Sequence, residues 1–325
     1  MPKVSIIIPM YNMENYIKTC LDSVMNQTMK DYEVIVIDDG SVDHSYDKAL
    51  EYQGRYPQQM RVYKQENAGQ GAVRNNGVRI ATGEYILFVD SDDTVSEYFV
   101  EKAYKMITES QADIGIFDAV IVDENRQRKE DMIGCHCPDC ICTLQTYPQL
   151  LFEYPAPWNK IYKRSLFTQS NLGYPTHMWY EDLVGASMFY TVANKIAVVH
   201  EPLYYYMQRS DSVMHSKVDA RNMEILKAMD MIQIFYRDRE IYDVYQQELE
   251  YLAIYHILVA AASRTVKADA KSSFPGQFME YMNNQFPKWR QNIYLNRLSV
   301  LNRVKLQLLD KKQYWILHLL YCMQK

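Results

Sequence analysis

Residues 85–93 read Tyr85-Ile86-Leu87-Phe88-Val89-Asp90-Ser91-Asp92-Asp93: an apolar run, then three carboxylates in four positions. An unbroken apolar run of this length is a strand buried on both faces, as in a parallel sheet. Working outward, the same grammar recurs. Residues 3–9 form an apolar run ended by Pro9, and Tyr11-Asn12-Met13-Glu14 follows. Tyr32–Asp38 forms a second, followed by Asp38-Asp39-Gly40-Ser41. Met60–Gln65 forms a third, followed by Asn67-Ala68-Gly69. Between them lie helical patterns at about Glu14–Gln27, Asp43–Tyr56, Gly71–Ala81 and Glu97–Ser110, with Ser41 expected to cap the second. A longer strand is expected at Asp113–Val122. Such alternation predicts an open α/β sheet with right-handed crossovers.

In such sheets ligands sit beyond the carboxyl ends of the strands. All four polar clusters fall there, so they can converge on one ligand. Residues 123–150 read as irregular, and order resumes at Trp158-Asn159-Lys160-Ile161-Tyr162. A helix is expected near Glu181–Thr191, a strand near Lys195–His200, and helices almost throughout after Asp219.

The strongest chemical signal is Asp90-Ser91-Asp92-Asp93. Two carboxylates at i and i+2 can hold a hard divalent cation between protein and a diphosphate. A helix cap would need one carboxylate, and three repel one another. Asp38-Asp39-Gly40-Ser41 could be a plain turn, or Asp39 could accept from a base N–H. Glu181-Asp182 follows Trp179-Tyr180. It either serves the helix dipole or offers a partly desolvated general base. Arg209, Ser212 and His215 suit phosphate recognition, with Arg209 as the planar fork; a surface loop is the plainer alternative. Gly69, Gly71, Arg74 and Gly77 lack the spacing of a phosphate loop. They predict close helix–sheet packing, with Arg74 organising the acidic edge.

These motifs, in this order, resemble the family 2 glycosyltransferases over roughly residues 3–215. The resemblance implies a GT-A fold: a Rossmann-like, mostly parallel central sheet flanked by helices, with a C-terminal helical region. It implies a catalytic domain over 1–218, with a nucleotide-sugar half to about 122 and an acceptor half from about 123, then a helical region over 219–325. It implies an inverting transferase with a nucleotide-sugar donor, most often UDP-linked, and Mn²⁺ or Mg²⁺. By that resemblance Pro9, Tyr11, Glu14 and Asp39 cradle the uridine, Asn67, Arg74 and Ser91 join the donor site, and Asp90 lies by the ribose. Asp92 coordinates the metal and Asp182 is the base. Trp158, Asn159, Lys160, Glu181, Arg209, Ser212 and His215 fall to the acceptor or phosphate side. Trp158-Asn159-Lys160 and Arg209 with Ser212 are similar to the bacterial capsule, exopolysaccharide and wall teichoic acid members, so a glycan or lipid-linked acceptor is implied. A nucleotidyltransferase would want Gly and Lys after the first strand, where Met10–Glu14 has neither. A non-catalytic nucleotide-sugar-binding subunit is the other alternative.

Composition sets the frame. The 325 residues are 48% hydrophobic and 23% charged, which excludes a mainly disordered chain. Twenty-eight tyrosines against ten phenylalanines suit sugar contacts or an interface equally well. Charge is unevenly spread. Residues 1–219 carry 20 Lys and Arg against 30 Asp and Glu, whereas residues 261–325 carry 11 against 3. The acidic body argues against nucleic acid as partner, and the basic tail points to a polyanionic contact. Arg297, Arg303, Lys305, Lys311 and Lys312 bracket apolar positions from Leu298 to Leu309, and an apolar aromatic run, Tyr314–Met323, follows. The expectation is an anionic membrane surface; packing on the core, or a homo-oligomer interface, would use the same stripe. With no apolar run near 20 residues and no leader before the first strand, a cytoplasmic chain, peripheral on the inner membrane face, is expected. Cys135, Cys137, Cys140 and Cys142 would strain one zinc tetrahedron, so a variable surface loop is expected there, with a thiolate zinc cluster as the alternative.

Overall fold

A computed structural model describes residues 2–138, 140–209 and 220–323. The chain divides into two compact units, residues 1–212 and 213–325. The boundary expected at 218/219 lies outside the described residues.

The first unit is built on one ten-stranded sheet. Its nucleus is four parallel strands: β1 (Val4–Met10), β2 (Tyr32–Asp38), β3 (Met60–Lys64) and β4 (Tyr85–Phe88), in the order β3-β2-β1-β4. Every residue of β1 and β4 is buried. Each such Val, Ile, Leu or Phe contributes about 1.5–3 kcal/mol on leaving water. The intervening helices α1 (Ile17–Met25), α2 (Ser45–Arg55) and α3 (Gly69–Ile80) close the crossovers. α3 lies tight on the sheet because Gly77 has no Cβ; one would meet Ile7 Cγ2 at 2.4 Å.

Beyond β4 the sheet becomes mixed. It gains β5 (Thr94–Val95), β6 (Ile114–Val122), β7 (Arg128–Met132), β8 (Ile141–Cys142), β9 (Lys160–Lys163) and β10 (Ile196–Met207), with α4 (Phe99–Ser110), α5 (Ser165–Ser170) and α6 (Glu181–Val192) around them. β6 and β10 are parallel to each other, and the short β9 runs antiparallel between β4 and β6. The other short strands, β5, β7 and β8, are antiparallel additions.

Several local expectations need correction. The first helix starts at Ile17 and not near Glu14, because the preceding amides go elsewhere: Met13 N–H donates to Ser45 Oγ (2.6 Å) and Glu14 N–H to Asp43 Oδ2 (3.1 Å). Ser41 does not cap α2; its hydroxyl accepts from Asn12 N–H at 2.9 Å, and Asp43 accepts from Ser45 N–H at 3.0 Å in its place. Residues 123–150 are not all irregular. β7 escapes a sequence reading because Arg-Lys-Glu-Asp has no apolar alternation; it is an exposed edge strand carried by β6. The Cys-rich segment is not simply a surface loop: Cys135, Cys137 and Cys142 are buried, and β8 pairs with β10. β10 runs past His200 to Met207 because a register shift around Pro202 absorbs the missing N–H.

The second unit is helical: α7 (Glu224–Asp238), α8 (Gln246–Ala253), α9 (Ser263–Ala268), α10 (Phe274–Gln285), α11 (Val300–Asp310) and α12 (Tyr314–Met323). A wide-turned π-helical stretch, Ile254–Ala262, joins α8 to α9. Leu249, Leu258, Phe278, Trp289, Leu309 and Leu317 are among its buried side chains. Among the described residues no helix is long and apolar enough to cross a membrane.

Candidate active site

The carboxyl ends of β1, β2 and β3 are stitched together by their own loops. Asn12, in the left-handed region at φ 53°, accepts from Val42 N–H at 3.0 Å through its side chain. Glu14 accepts from His44 N–H at 3.1 Å, holding the start of α2. Asp39 is buried, and both its carboxylate oxygens are occupied: Gln65 Nε2 (2.8 Å), Ala68 N–H (3.0 Å) and Gly69 N–H (2.9 Å) donate to them. It thus satisfies the open amides at the start of α3. Asn67 donates to the Asp39 carbonyl at 3.0 Å. Pro9 is buried in β1, and Tyr11 is 45% exposed.

The end of β4 separates its three carboxylates by environment. Asp93 turns inward, accepting from Tyr204 Oη (2.7 Å) and Met207 N–H (2.6 Å). Burial and then the Asp92 and Asp90 charges push it well above the usual carboxylate range. Tyr204 also accepts from Asp90 N–H at 3.0 Å, so one phenol clamps the turn from two sides. Ser91 is buried. Asp92 stays 21% exposed and faces Arg209, whose Nε lies 3.3 Å from its Oδ2. Arg209 also stacks over the Tyr16 ring, 4.7 Å from its centroid. Arg126 donates to the Asp92 carbonyl at 3.0 Å, a contact no sequence signal points to from within its polar loop.

The third part arrives from far along the chain. Glu181-Asp182 opens α6, directly after Tyr180, whose backbone sits at φ 67°. A non-glycine residue is costly there, on the order of 1–2 kcal/mol, and such strain persists only where the surroundings enforce it. The enforcement is visible. The segment from Tyr174 lies on the first turn of α3; His177 N–H donates to the Ala68 carbonyl at 3.0 Å. Gly71 makes room, because a Cβ there would meet the Pro175 carbonyl oxygen at 2.0 Å. Arg74, buried, then reaches Glu181 Oε1 at 2.7 Å and Asp90 Oδ1 at 3.4 Å. Burial alone would lower Arg74, but Glu181 and Asp90 outweigh it and hold it firmly charged. Asp90 is pushed up to about 6 by burial, against the pull of Arg74. Asp182 is likewise pushed up to about 6 by burial and the Glu181 charge, with Arg74 opposing.

The structure does not place every expected residue at an open surface. Asn159 and Lys160 are fully buried. The Lys160 ammonium donates to the Tyr154 carbonyl (2.9 Å), the Ala156 carbonyl (2.7 Å) and Asn159 Oδ1 (2.7 Å). Neither can touch an acceptor or a phosphate; they brace a turn. Trp158 is buried too, stacked on Tyr204 at 4.5 Å and on Tyr206 at 5.5 Å. Arg74 acts on the site through Asp90 and Glu181, since its guanidinium is enclosed by them and by Gln70. Ser212 and His215 lie outside the described residues.

The glycosyl transferase family 2 model matches residues 5–182. The chain belongs to that family. Among curated relatives of this glycosyltransferase is the putative glycosyltransferase EpsH of Bacillus subtilis (strain 168), 31% identical over 264 residues, covering 78% of this chain and 75% of EpsH. Another is the poly(ribitol-phosphate) beta-glucosyltransferase of Bacillus spizizenii, 36% identical over 217 residues. That match covers 64% of this chain but 33% of the longer relative. Among solved structures, S. aureus TarS 1-349 in complex with UDP-GlcNAc has a TM-score of 0.63 at 22% identity, covering 90% of this chain and 93% of that one. The α/β sheet flanked by helices, with helices C-terminal to it, is the fold shared with that neighbour. The mannosyltransferase PcManGT of Pyrobaculum calidifontis, in complex with GDP-Man and Mn²⁺, has a TM-score of 0.52 at 17% identity, covering 98% of this chain and 86% of that one.

A divalent cation fits the residues of this glycosyltransferase in one form. Among the described residues no three His, Cys, Asp or Glu side chains gather into a set that could hold an ion alone. Asp93 is turned inward, whereas Asp90 and Asp92 are exposed to the same degree; Asp90 faces Arg74 and Asp92 faces Arg209, so either can lend one hard oxygen. One carboxylate suits an ion that takes its remaining oxygens from a diphosphate and water.

Proposed function

We propose that the chain is an inverting glycosyltransferase of bacterial surface polysaccharide synthesis. It moves a sugar from a UDP-sugar to a hydroxyl of a glycan or lipid-linked acceptor. The observation that carries this reading is the Arg74 bridge. One guanidinium touches the strand-end cluster at Asp90 and the helix-start pair at Glu181, so a donor-side carboxylate and a candidate base belong to one site. The names of the relatives support the donor and pathway class: UDP-GlcNAc is bound by the TarS fragment, and the Bacillus spizizenii relative is a poly(ribitol-phosphate) glucosyltransferase.

In this reading Tyr11 and the loops after β1 and β2 take the nucleoside, and Asp90 lies by the ribose. Asp92 holds Mn²⁺ or Mg²⁺, which when bound supplies positive charge to the leaving diphosphate. Arg209 adds a planar donor fork beside it. Asp182 accepts the proton of the acceptor hydroxyl. Its raised affinity for a proton suits that task, yet it remains ionised above about pH 6. The acceptor oxygen forms its bond to C1 on the face opposite the diphosphate, the C1–O bond breaks, and UDP leaves with the electron pair. One displacement inverts the anomeric centre.

The tail fits a cytoplasmic enzyme resting on an anionic membrane surface. Leu306, Leu309 and Leu317 are buried within the helical unit, but Val300, Leu301, Val304, Trp315 and Leu319 are exposed, with Trp315 at 64%. Arg297, Arg303, Lys311 and Lys312 are exposed among them. Each such cation contributes about 1 kcal/mol near anionic lipid. A homo-oligomer through this stripe would bring like charges together.

The test is UDP release from a panel of UDP-sugars, with Mn²⁺ or excess EDTA, alongside flotation with anionic liposomes. UDP release that EDTA suppresses is expected, with flotation lost in high salt. UDP-sugar binding without release would make the chain a scaffold. Pyrophosphate released from UTP and a sugar phosphate would make it a nucleotidyltransferase. Recovery only in the soluble fraction at low salt would remove the membrane contact.

A further inference from the structure

Lys160 poses a question that the transfer chemistry leaves unanswered. Burying an ammonium costs several kcal/mol unless its partners compensate, and burial pushes this one down to about 7. Its hydrogen bonds are to the Tyr154 and Ala156 carbonyls and the Asn159 side chain. All of them fix one short turn, residues 154–159. At the start of that turn stands Tyr154, 40% exposed.

Lone exposed tyrosines are common and need no explanation. Tyr154 is not placed like one. Its ring lies 5.6 Å from that of Trp158, and Trp158 is stacked on Tyr204 and on Tyr206. Tyr204 is the phenol that clamps Asp90 and Asp93. The residue is therefore half-exposed, backed by a layer of aromatic rings and tied to the acidic strand end through it, with its hydroxyl end turned into the buried side. Its hydroxyl lies within electrostatic reach of the same carboxylates. Burial, then the Tyr206 phenol, then Asp182, Asp90 and Asp93 hold it well above the usual tyrosine range.

We propose that Tyr154 is the platform for the acceptor, a pyranose ring whose apolar C–H face stacks on the phenol ring with its attacking hydroxyl toward Asp182. The inference rests on the transferase reading above and narrows its acceptor to a ring sugar. A flexible polyol phosphate has no flat apolar face for such a platform. An aromatic ring carries a large contact area with little rotamer freedom to lose. Anchoring its backbone on a buried cation removes more of the ordering cost of binding. Asp182 decides between donor and acceptor sugar, because the group that accepts the proton must face the sugar that supplies it.

The test uses the full chain and its Tyr154→Ala and Tyr154→Phe variants. The probes are p-nitrophenyl glucoside, galactoside and N-acetylglucosaminide as acceptors. Tyr154→Ala is expected to raise the acceptor KM about tenfold, the effect of roughly 1.4 kcal/mol. The UDP-sugar KM should move less than twofold, and Tyr154→Phe should keep the acceptor KM within about twofold, since the ring face is retained. An unchanged acceptor KM in Tyr154→Ala overturns the proposal. So does a rise confined to the UDP-sugar KM, which would make the ring a donor platform, or an equal loss in Tyr154→Phe, which would assign the role to the hydroxyl. Saturation-transfer NMR with the matching methyl glycosides and UDP needs no turnover. A wild-type signal that Tyr154→Ala loses supports the platform even if no UDP-sugar is consumed, an outcome that would sink the transferase reading instead. No wild-type signal for any glycoside overturns the platform directly.

Discussion

The loops after β1 to β4 and the stretch from Glu153 to Arg209 use the same kinds of residue in opposite ways. In the first region each polar cluster follows its strand at once, and after β1, β2 and β3 its hydrogen bonds run to the neighbouring loop, as Asn12 does with Ser41 and Val42. In the second, residues of equal chemical promise are divided. Lys160 and Asn159 are enclosed and brace a turn. Arg209 and Glu181 meet Asp92 and Arg74, more than a hundred positions away in the chain. The first three strand ends position chemistry locally, whereas the end of β4 and the later stretch position each other through long-range pairs. Changes in the second region should therefore act on geometry across the whole site.

Four experiments press on that contrast, the largest effect first. Asp182→Asn removes the candidate base while leaving the strand ends intact. Turnover should fall by about 10²–10⁴-fold, with UDP affinity by calorimetry within a few-fold of wild type. A loss of UDP affinity with turnover intact would move Asp182 to the donor side. Arg74→Met strands Asp90, Glu181 and Asp182 without their shared cation. Breaking a buried pair from one side costs about 3–5 kcal/mol, read as a fall in denaturation midpoint together with lost activity. An active variant of wild-type stability would show that the two halves hold together without the bridge.

Two glycines on helices sharpen the point at smaller scale. At Gly71 a methyl group meets the Pro175 carbonyl, which is backbone and cannot swing away. Gly71→Ala should cost about 1–3 kcal/mol and lower turnover more than UDP affinity, because it displaces the segment leading to Asp182. At Gly54, within α2, nothing lies within 4 Å of the added carbon. Gly54→Ala should raise stability by about 0.4–1 kcal/mol with turnover unchanged. Equal behaviour of the two variants in thermal melts would undo the packing argument.

The smallest effect is one of pH. Asp90 and Asp182 both bind a proton more tightly in the fold than in the unfolded chain, from an ordinary 3.8 up to about 6. The folded state then holds more protons between those values, so these two groups make stability fall as pH rises from about 4 to about 6. Their cost is fully present above that window. Asp182→Asn should accordingly melt higher than wild type at pH 7.5 and lose that advantage by pH 4. Turnover of the wild type should fall about tenfold per unit below about pH 6 as the base is protonated. A rate that stays flat down to pH 5 would remove Asp182 from the proton transfer.

The apolar runs made the four parallel strands legible, and the rule of strand ends located the clusters that follow them. Both are local properties: strand burial shows as a continuous apolar run, and a ligand-binding loop as the polar residues next to it. The family too could be read from those motifs. The missed elements lacked such a pattern. β7 is charged in every position but its last, Met132, and the end of β10 depends on a bulge around Pro202.

Only the tertiary structure decided which of three neighbouring aspartates turns away from the surface. Asp93 turns inward because Tyr204 and the Met207 amide are there to receive it, over a hundred residues later in the chain. It also decided that Lys160 is buried, that Arg74 serves two carboxylates, and that Tyr154 stands exposed on an aromatic layer. The physical reason is common to all four. The free energy of a polar or aromatic side chain depends on which partners surround it once water is removed, and those partners come from segments whose proximity no local pattern encodes.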